Sequence, residues 1–333
     1  WHGSAAQLIT GTEYIVVVYL GATAILAGNF SVGMLIAFLA YRGHFSSAVT
    51  GVIDTLCRYR MVGLHLERLS EVTNAERERG TGAPVHQAGG SVRVGAIELR
   101  AIGFAHAGAP RPLFTDVSLS LASGELVAVS GPSGVGKSTL MEIAMGVLQP
   151  TQGEVRVNGL PLMQFGIGRF RASIAAVTSG DRLFSGSIRD NVVFPSMGWD
   201  VGESIDHEMR LVAACRAAGI HDEIVATAMG YETLIGDMGV ALSDGQQQKL
   251  LLARAFFREP DYLFLDEGTA HLDAASARAV MAAIKDSGCG CLFVTHDADL
   301  LGLADKVVTW SDRGDVRVED GGSRRVIVRK SRK

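Results

Sequence analysis

One eight-residue segment constrains the fold more than any other feature of the chain. This segment, GPSGVGKS at 131–138, matches the spacing G-x-x-x-x-G-K-[ST], and we call it the P-loop. It follows the apolar run ELVAVS and precedes the helix-like run TLMEIAMGVL, an order that predicts a strand, a glycine-rich loop and a helix start. Glycines let backbone N–H groups converge on an anion, and the helix N-terminus adds partial positive charge. The segment therefore predicts phosphate binding.

Two side chains at the end of the P-loop suit a nucleotide with its metal ion. Lys137 is expected to reach the terminal phosphates of ATP, and the Ser138 hydroxyl is expected to bind Mg²⁺. A chance glycine-rich loop is the alternative, and the flanking patterns argue against it. The other loop residues predicted to bind the nucleotide are Gly131, Pro132, Ser133, Gly134, Val135, Gly136 and Thr139.

Two further apolar runs end in residues that suit phosphate chemistry. In PDYLFLDEGTAHLD, the run ends at Asp266, predicted to hold Mg²⁺ through water, and at Glu267, predicted to polarise the attacking water. In CLFVTHDADLL, the run ends at His296. A lone histidine is usually structural, and two adjacent acids usually form a solvated turn. At the carboxyl edge of a parallel sheet, where ligands bind, both groups instead become catalytic candidates.

The N-terminal region has a different character. No charged side chain occurs from Tyr14 to Tyr41, and GNFS at 28–31 divides the apolar stretch. We predict membrane helices at about 5–27 and 32–53, with Arg42 and His44 facing a bundle interior or a water-filled path. A buried hairpin in a soluble protein is the alternative. Because the chain begins with Trp1, we expect it to be a fragment of a longer protein.

Composition and charge pattern set the remaining boundaries. A cytosolic extension is predicted at 54–79 from its arginines, which include Arg58, Arg60 and Arg68. The Gly/Pro-rich stretch at 80–93 predicts a linker. A soluble domain is predicted at 94–328, followed by a basic tail at 329–333. A net charge of −4 gives no reason to expect nucleic acid as a partner. The cysteines of CGC at 289–291 adjoin an apolar run and predict a buried, reduced strand.

Taken in order, these motifs resemble the ATPase domain of ABC transporters. The motifs are the P-loop, LSDGQQQ, LFLDE, AHLD and VTH. The segments NFSVGMLIAFLAYRGHFSSAVTGVID, LHLERLSEV, GDRLFSGSIRDNV and ETLIGDMGVALSDGQ resemble peptide and bacteriocin exporters of the colicin V type. The resemblance implies a multi-domain chain: two transmembrane helices, the last of an exporter half, then an α/β P-loop NTPase domain with a helical subdomain.

Further expectations follow from the family. Its members act as dimers in the bacterial inner membrane, with the ATPase domain in the cytoplasm, and many carry a peptidase that cuts a double-glycine leader. Each ATP lies between the P-loop of one subunit and residues 242–246 of the other, which we call the signature segment. The resemblance therefore assigns Ser243, Gly245, Gln246 and Asp273 to ATP binding.

Three departures from the family pattern bear on activity. Asp244 stands where the signature segment has glycine, so we expect charge repulsion near ATP and a restricted backbone. Ser179 replaces the glutamine that contacts Mg²⁺, and His106 replaces the aromatic residue that stacks on adenine. We predict an ATP-hydrolysing exporter of peptides in contact with membrane lipid, as a homodimer or heterodimer. The alternatives are a regulatory half with little hydrolysis and an exporter of lipids or drugs.

Overall fold

The computed structural model describes residues 2–28, 30–74, 93–109, 111–194, 205–236, 239–311 and 316–320. The chain divides into two units, Trp1–Glu78 and Arg79–Lys333. The predicted basic tail at 329–333, and the predicted linker at 80–93 apart from residue 93, lie outside the described residues. The two units are described separately.

The first unit contains two long helices. Helix α1 spans His2–Leu26 and helix α2 spans Val32–Thr73. Ser31 caps α2, because its hydroxyl accepts a hydrogen bond from the backbone N–H of Met34 at 3.1 Å. Helix α2 continues from the apolar segment into the charged one. The predicted second membrane helix and most of its predicted cytosolic extension therefore form one helix.

One of the two helices contains a candidate membrane span among the described residues. Among the described residues, the one helix segment that is long and apolar enough to cross a bilayer, by length and composition alone, is Val32–Ser70. The apolar part of α1, Thr12–Leu26, is shorter than the about 20 residues that a span needs. Two membrane spans were predicted, and the described residues contain one candidate. A second membrane span stays a prediction.

A bidentate ion pair joins the two helices. Arg42 Nε donates to Glu13 Oε1 at 3.0 Å, and Arg42 Nη2 donates to Glu13 Oε2 at 2.8 Å. The Arg42 side chain is only 17% exposed, whereas His44 is exposed. The helices also approach closely at Gly21, where an added Cβ would lie 2.4 Å from Cδ1 of Leu35. The pair compensates a charge that an apolar helix would otherwise carry at high cost.

Exchanging the two charges tests the importance of this pair. We expect Glu13→Gln to lower, severalfold, the amount of full-length protein recovered in the membrane fraction, since it removes the carboxylate that compensates Arg42. The double exchange Glu13→Arg with Arg42→Glu should restore most of that amount. Quantitative immunoblotting measures both, with Glu67→Gln, at an exposed position of α2, as the control. An equal deficit in the double variant would count against the pairing.

The second unit combines a six-stranded, a four-stranded and a two-stranded sheet with flanking helices. Its strands are β1 (Ala96–Phe104), β2 (Phe114–Ala122), β3 (Leu126–Ser130), β4 (Gln152–Val157), β5 (Leu160–Pro161), β6 (Ile174–Val177), β7 (Gly186–Ser187), β8 (Leu234–Ile235), β9 (Tyr262–Asp266), β10 (Gly290–Val294), β11 (Lys306–Trp310) and β12 (Val316–Asp320). Its helices are α3 (Lys137–Ala144), α4 (Leu162–Phe165), α5 (Ile167–Ala172), α6 (Ile188–Val193), α7 (Ile205–Ala217), α8 (His221–Val225), α9 (Asp244–Phe257), α10 (Ala274–Asp286) and α11 (Ala298–Leu301), with a 3₁₀ turn at Gly230–Glu232.

The main sheet is largely parallel. Its strand order is β12-β11-β3-β10-β9-β6, with β12 antiparallel to β11 and the other neighbours parallel. Strands β9 and β10 are buried at every position, because both faces of the sheet are covered, and their sequences are therefore continuous apolar runs. A second, antiparallel sheet has the order β2-β1-β4-β5. This arrangement is the predicted α/β class.

Two apolar cores lie on opposite faces of the main sheet. Alternate residues of β3 point to different cores: Val127 and Val129 pack with α3 and the antiparallel sheet, whereas Leu126 and Ala128 pack with α7, α9 and α10. Cys291 is fully buried in β10 and Cys289 adjoins it, and both are free thiols as predicted. Burial raises the pKa of Cys289 to about 12, so this thiol stays protonated at neutral pH.

Candidate functional site

The carboxyl ends of four parallel strands bring the predicted phosphate residues to one edge of the main sheet. Val294 of β10 is in register with Val129 of β3 and with Asp266 of β9. Strand β6 is parallel to β9, with Val177 beside Leu265. The P-loop, Glu267, His296 and Ser179 follow these strand ends and therefore share the edge where α/β sheets bind ligands.

Tight packing of two glycines holds the P-loop. Gly131 has φ 147°, and a Cβ there would lie 2.6 Å from Cβ of Trp310, which is buried at the end of β11. Gly136 has φ 104° and caps α3, and its own added Cβ would lie 2.9 Å from side chains of Leu113 and Phe114. Side chains at either position would shift the loop, so both glycines are required by close approach as well as by backbone conformation.

The side chain of Lys137 folds back onto the first residues of the P-loop. Its Nζ donates to the carbonyl oxygens of Gly131 at 2.8 Å and Pro132 at 2.7 Å, and the residue is only 8% exposed. Ser138 and Thr139 follow in the first turn of α3, whose free N–H groups face the loop. The other predicted loop residues, Ser133, Gly134 and Val135, lie between the two packed glycines, with Ser133 and Gly134 exposed.

The two adjacent acids after β9 differ in exposure and backbone. Asp266 is buried as the last residue of the strand, whereas Glu267 is exposed and has φ 56°, in the left-handed region. Such a conformation costs a glutamate roughly 1–2 kcal/mol. It turns the chain sharply after β9, so the two carboxylates do not occupy consecutive positions of a strand.

Gln248 fixes this turn, and sequence reasoning missed it. Its Nε2 donates to the carbonyl oxygen of Glu267 at 2.9 Å, and its Oε1 accepts from the N–H of His271 at 2.7 Å. The signal was its place in α9: Gln248 comes one turn after Asp244, on the face that packs inward. A buried glutamine on an otherwise apolar face needs polar partners, and the turn supplies both.

Glu267 and His296 line one pocket of about 310 Å³. Thr295 and Asp297, on either side of the histidine, line it too. The N–H of Thr295 donates to the carbonyl oxygen of Val129 at 3.1 Å, which extends the β10–β3 ladder by one residue up to His296. An exposed histidine beside an exposed carboxylate can orient a water molecule and a phosphate together.

The signature segment forms the start of helix α9. Ser243 Oγ accepts from the N–H of Gln246 at 3.2 Å, and Gln246 Oε1 accepts from the N–H of Ser243 at 3.0 Å, so the two residues form a capping box. Asp244 is the first helical residue and has no positive φ. The expected backbone restriction is therefore wrong: this position is helical, and an acid in a first turn is electrostatically favourable.

The remaining predicted residues are Ser179, His106 and Asp273. Ser179 is exposed in the turn after β6. His106 is exposed after β1, with its ring 5.0 Å from that of Phe104. Asp273 caps α10, accepting from the N–H groups of Ala275 and Ser276. The Ser276 hydroxyl, followed by these N–H groups, holds the pKa of Asp273 below its ordinary value. A role for Asp273 in ATP binding stays a prediction.

Comparison with known families matches residues 114–270 to the family described as ABC transporter. The chain carries an ABC transporter domain. It is 36% identical over 307 residues to the colicin V secretion/processing ATP-binding protein CvaB of Escherichia coli, covering 92% of this chain and 43% of that protein. It is 31% identical over 308 residues to the cyclolysin secretion/processing ATP-binding protein CyaB of Bordetella pertussis, covering 92% and 42%.

A solved structure has a fold similar to that of this chain. The structure of a bacterial Atm1-family ABC exporter with ATP bound matches with a TM-score of 0.64 at 21% identity, over 94% of this chain and 54% of that chain. The family match confirms the resemblance predicted from the motifs, and this structure confirms the predicted α/β ATPase fold. ABC transporter domains bind and hydrolyse ATP, so nucleotide binding is assigned to the second unit. The chain spans less than half the length of the two curated relatives.

Proposed function

We propose that the full-length protein is an ATP-driven exporter that moves a peptide, such as a bacteriocin, across the bacterial inner membrane. This chain would supply membrane helices and a cytoplasmic ATP-hydrolysing domain. The observation that carries the proposal is the convergence of the P-loop, Asp266, Glu267 and His296 at one sheet edge. The cargo is inferred from the relatives, whose names describe colicin V and cyclolysin secretion.

The P-loop suits the phosphate groups of ATP, with Lys137 on the terminal ones. Mg²⁺ fits the hydroxyl of Ser138 and the carboxylate of Asp266, because both are hard oxygen donors, and it would neutralise phosphate charge. Across the described residues, no group of three or more His, Cys, Asp or Glu side chains could hold a metal ion. Ser179 is too short for direct contact and would act through water.

Glu267 is the proposed general base. Its carboxylate would accept a proton from water as the water oxygen bonds to the terminal phosphorus and the bond from that phosphorus to the bridging oxygen breaks. His296, in the same pocket, would donate a hydrogen bond to the terminal phosphate and orient the water. His106 would stack on adenine, over a smaller area than a larger aromatic ring offers.

The proposed active assembly is a dimer, either of two copies or with another exporter half. Ser243, Gly245 and Gln246 would then face the ATP held by the partner's P-loop, and Asp273 would lie beside it. Membrane lipid and a peptide are the other proposed partners, and no nucleic acid is expected. ATP would close the two ATPase domains on each other, and hydrolysis would open them.

A regulatory half with little hydrolysis is the second candidate. Asp244 favours it, because a carboxylate beside Ser243 at the N-terminus of α9 would repel the partner's triphosphate. Glu267 and His296 oppose it, because both catalytic candidates are present in one pocket. A lipid or drug exporter remains the alternative for the cargo.

Reconstitution of the full-length protein in liposomes tests the function. We expect ATP hydrolysis that a bacteriocin-type precursor peptide stimulates, and ATP-dependent movement of that peptide across the bilayer. Stimulation by lipids or drugs instead would indicate the alternative cargo. ATP binding without turnover, restored by a second exporter half, would indicate the regulatory half. Absence of ATP binding would refute all three.

Replacing Asp244 with glycine measures the effect of this departure. We expect steady-state ATPase activity to rise several-fold, since the carboxylate no longer repels the partner's ATP. The melting temperature should stay equal or fall slightly, because an acid in the first turn of α9 stabilises the helix by about 0.3–1 kcal/mol. Asp244→Asn separates charge from side-chain bulk. Unchanged turnover in both variants would contradict the prediction.

A further inference from the structure

Helix α8 makes a polar connection to the start of helix α9. Glu223 of α8 accepts two hydrogen bonds from α9: Oε2 from Gln246 Nε2 at 2.9 Å, and Oε1 from Lys249 Nζ at 2.6 Å. The Lys249 side chain is 15% exposed and that of Glu223 is 39% exposed. One carboxylate thus joins the first two turns of the helix that carries the signature segment.

The contact with Gln246 decides which way its amide points. A side-chain amide has one accepting oxygen and one donating nitrogen, and either could in principle face Ser243. The carboxylate of Glu223 accepts only, so it selects the orientation in which the amide nitrogen faces it. The oxygen is then directed at the N–H of Ser243, which is the bond that closes the capping box. Glu223 therefore acts on Ser243 through Gln246.

The charge of Glu223 is maintained by its partners. Burial alone would raise its pKa, but the hydrogen bonds from Lys249 and Gln246 outweigh it and hold the pKa of Glu223 below its ordinary value. Lys249 in turn offsets the negative charge of Glu223 close to Asp244 in the first turn of α9. The carboxylate is therefore ionised, and accepting only, throughout the neutral pH range.

We propose that Glu223 is a positioning residue for ATP hydrolysis, which orients the signature segment through the amide of Gln246. The inference rests on the proposed function, in which Ser243 and Gly245 face the ATP of the partner subunit. In this proposal Glu223 acts on Ser243 through Gln246 and not by touching ATP. Its loss should impair closure of the dimer on ATP and leave binding of ATP to the P-loop of its own subunit unchanged.

Two variants of the full-length protein separate positioning from simple stabilisation. Glu223→Gln removes the accepting-only group, and we expect it to lower kcat about tenfold while the Kd for ATP stays within twofold. The exchange Glu223→Lys with Lys249→Glu restores an ion pair but gives the amide of Gln246 no acceptor at position 223. It should therefore recover the melting temperature without recovering kcat. A purely structural role would recover both together.

The matched control is Glu232→Gln. Glu232 also forms an ion pair within the same helical region, but with Arg189 and not with a residue of α9. Turnover of Glu223→Gln within twofold of this control, or full turnover in the charge exchange, would overturn the inference. These results are distinct from failure of the proposed function, which would appear as absence of ATP turnover in the unmodified protein.

Discussion

Replacing Glu267 with glutamine is expected to reduce ATP turnover of the full-length protein at least about 100-fold while ATP still binds. Glutamine has nearly the same shape but cannot take the proton of the attacking water. The main-chain carbonyl oxygen of residue 267 would still accept the hydrogen bond from Gln248 Nε2, so the turn after β9 should persist. The variant is therefore expected to accumulate in the ATP-bound, closed dimer.

Phosphate release measures the turnover, and size-exclusion chromatography with ATP measures dimer closure. Glu259→Gln is a matched control, because Glu259 also has a positive φ, 47°, but lies before β9, at the opposite edge of the main sheet. We expect the control to keep full activity. Substantial hydrolysis by Glu267→Gln would require a different base, and His296 in the same pocket would be the first candidate.

Replacing Lys137 with methionine is expected to raise the Kd for ATP by roughly 10- to 100-fold. Hydrogen bonds to charged groups contribute about 1.5–3 kcal/mol each, which sets this range. Methionine keeps the apolar stem and its packing, while the ammonium that bonds the carbonyl oxygens of Gly131 and Pro132 is lost. The P-loop should consequently lose part of its order as well as its charge.

Isothermal titration with ATP measures the affinity. Lys285→Met is the control, because Lys285 is an exposed lysine that pairs with Asp305 at the opposite edge of the sheet. Removing a charge there should leave the Kd unchanged. If both variants lowered the affinity equally, the effect would come from net charge and not from the P-loop, and the proposed role of Lys137 would be wrong.

The edge that carries these residues could be predicted from the sequence because each motif ends an apolar run. GPSGVGKS follows β3, whereas LFLDE and VTH contain the last residues of β9 and β10, and parallel strands place their carboxyl ends together. Strand type and motif order thus determined the placement of Lys137, Asp266 and His296. The family resemblance added the signature segment, which no local pattern assigns to phosphate.

Contacts between distant parts of the chain could not be predicted in the same way. Glu13 and Arg42 are separated by 29 positions, and their pairing depends on the register of two helices. The bonds of Gln248 and of Glu223 depend on how α9 meets its neighbours. The effect of Asp244 on the backbone was predicted wrongly, because the replaced glycine suggested a special conformation at a position that is helical.

The left-handed backbone at Glu267 destabilises the folded chain, whereas the proposed catalytic role requires a carboxylate at this position. Glycine would adopt the same conformation without steric cost, so the most stable chain would lack the carboxylate. Gln248 of α9 stabilises this turn, because its side-chain amide donates a hydrogen bond to the main-chain carbonyl oxygen of Glu267. The turn after β9, where the proposed base lies, is thus restrained by the helix that also carries the signature segment.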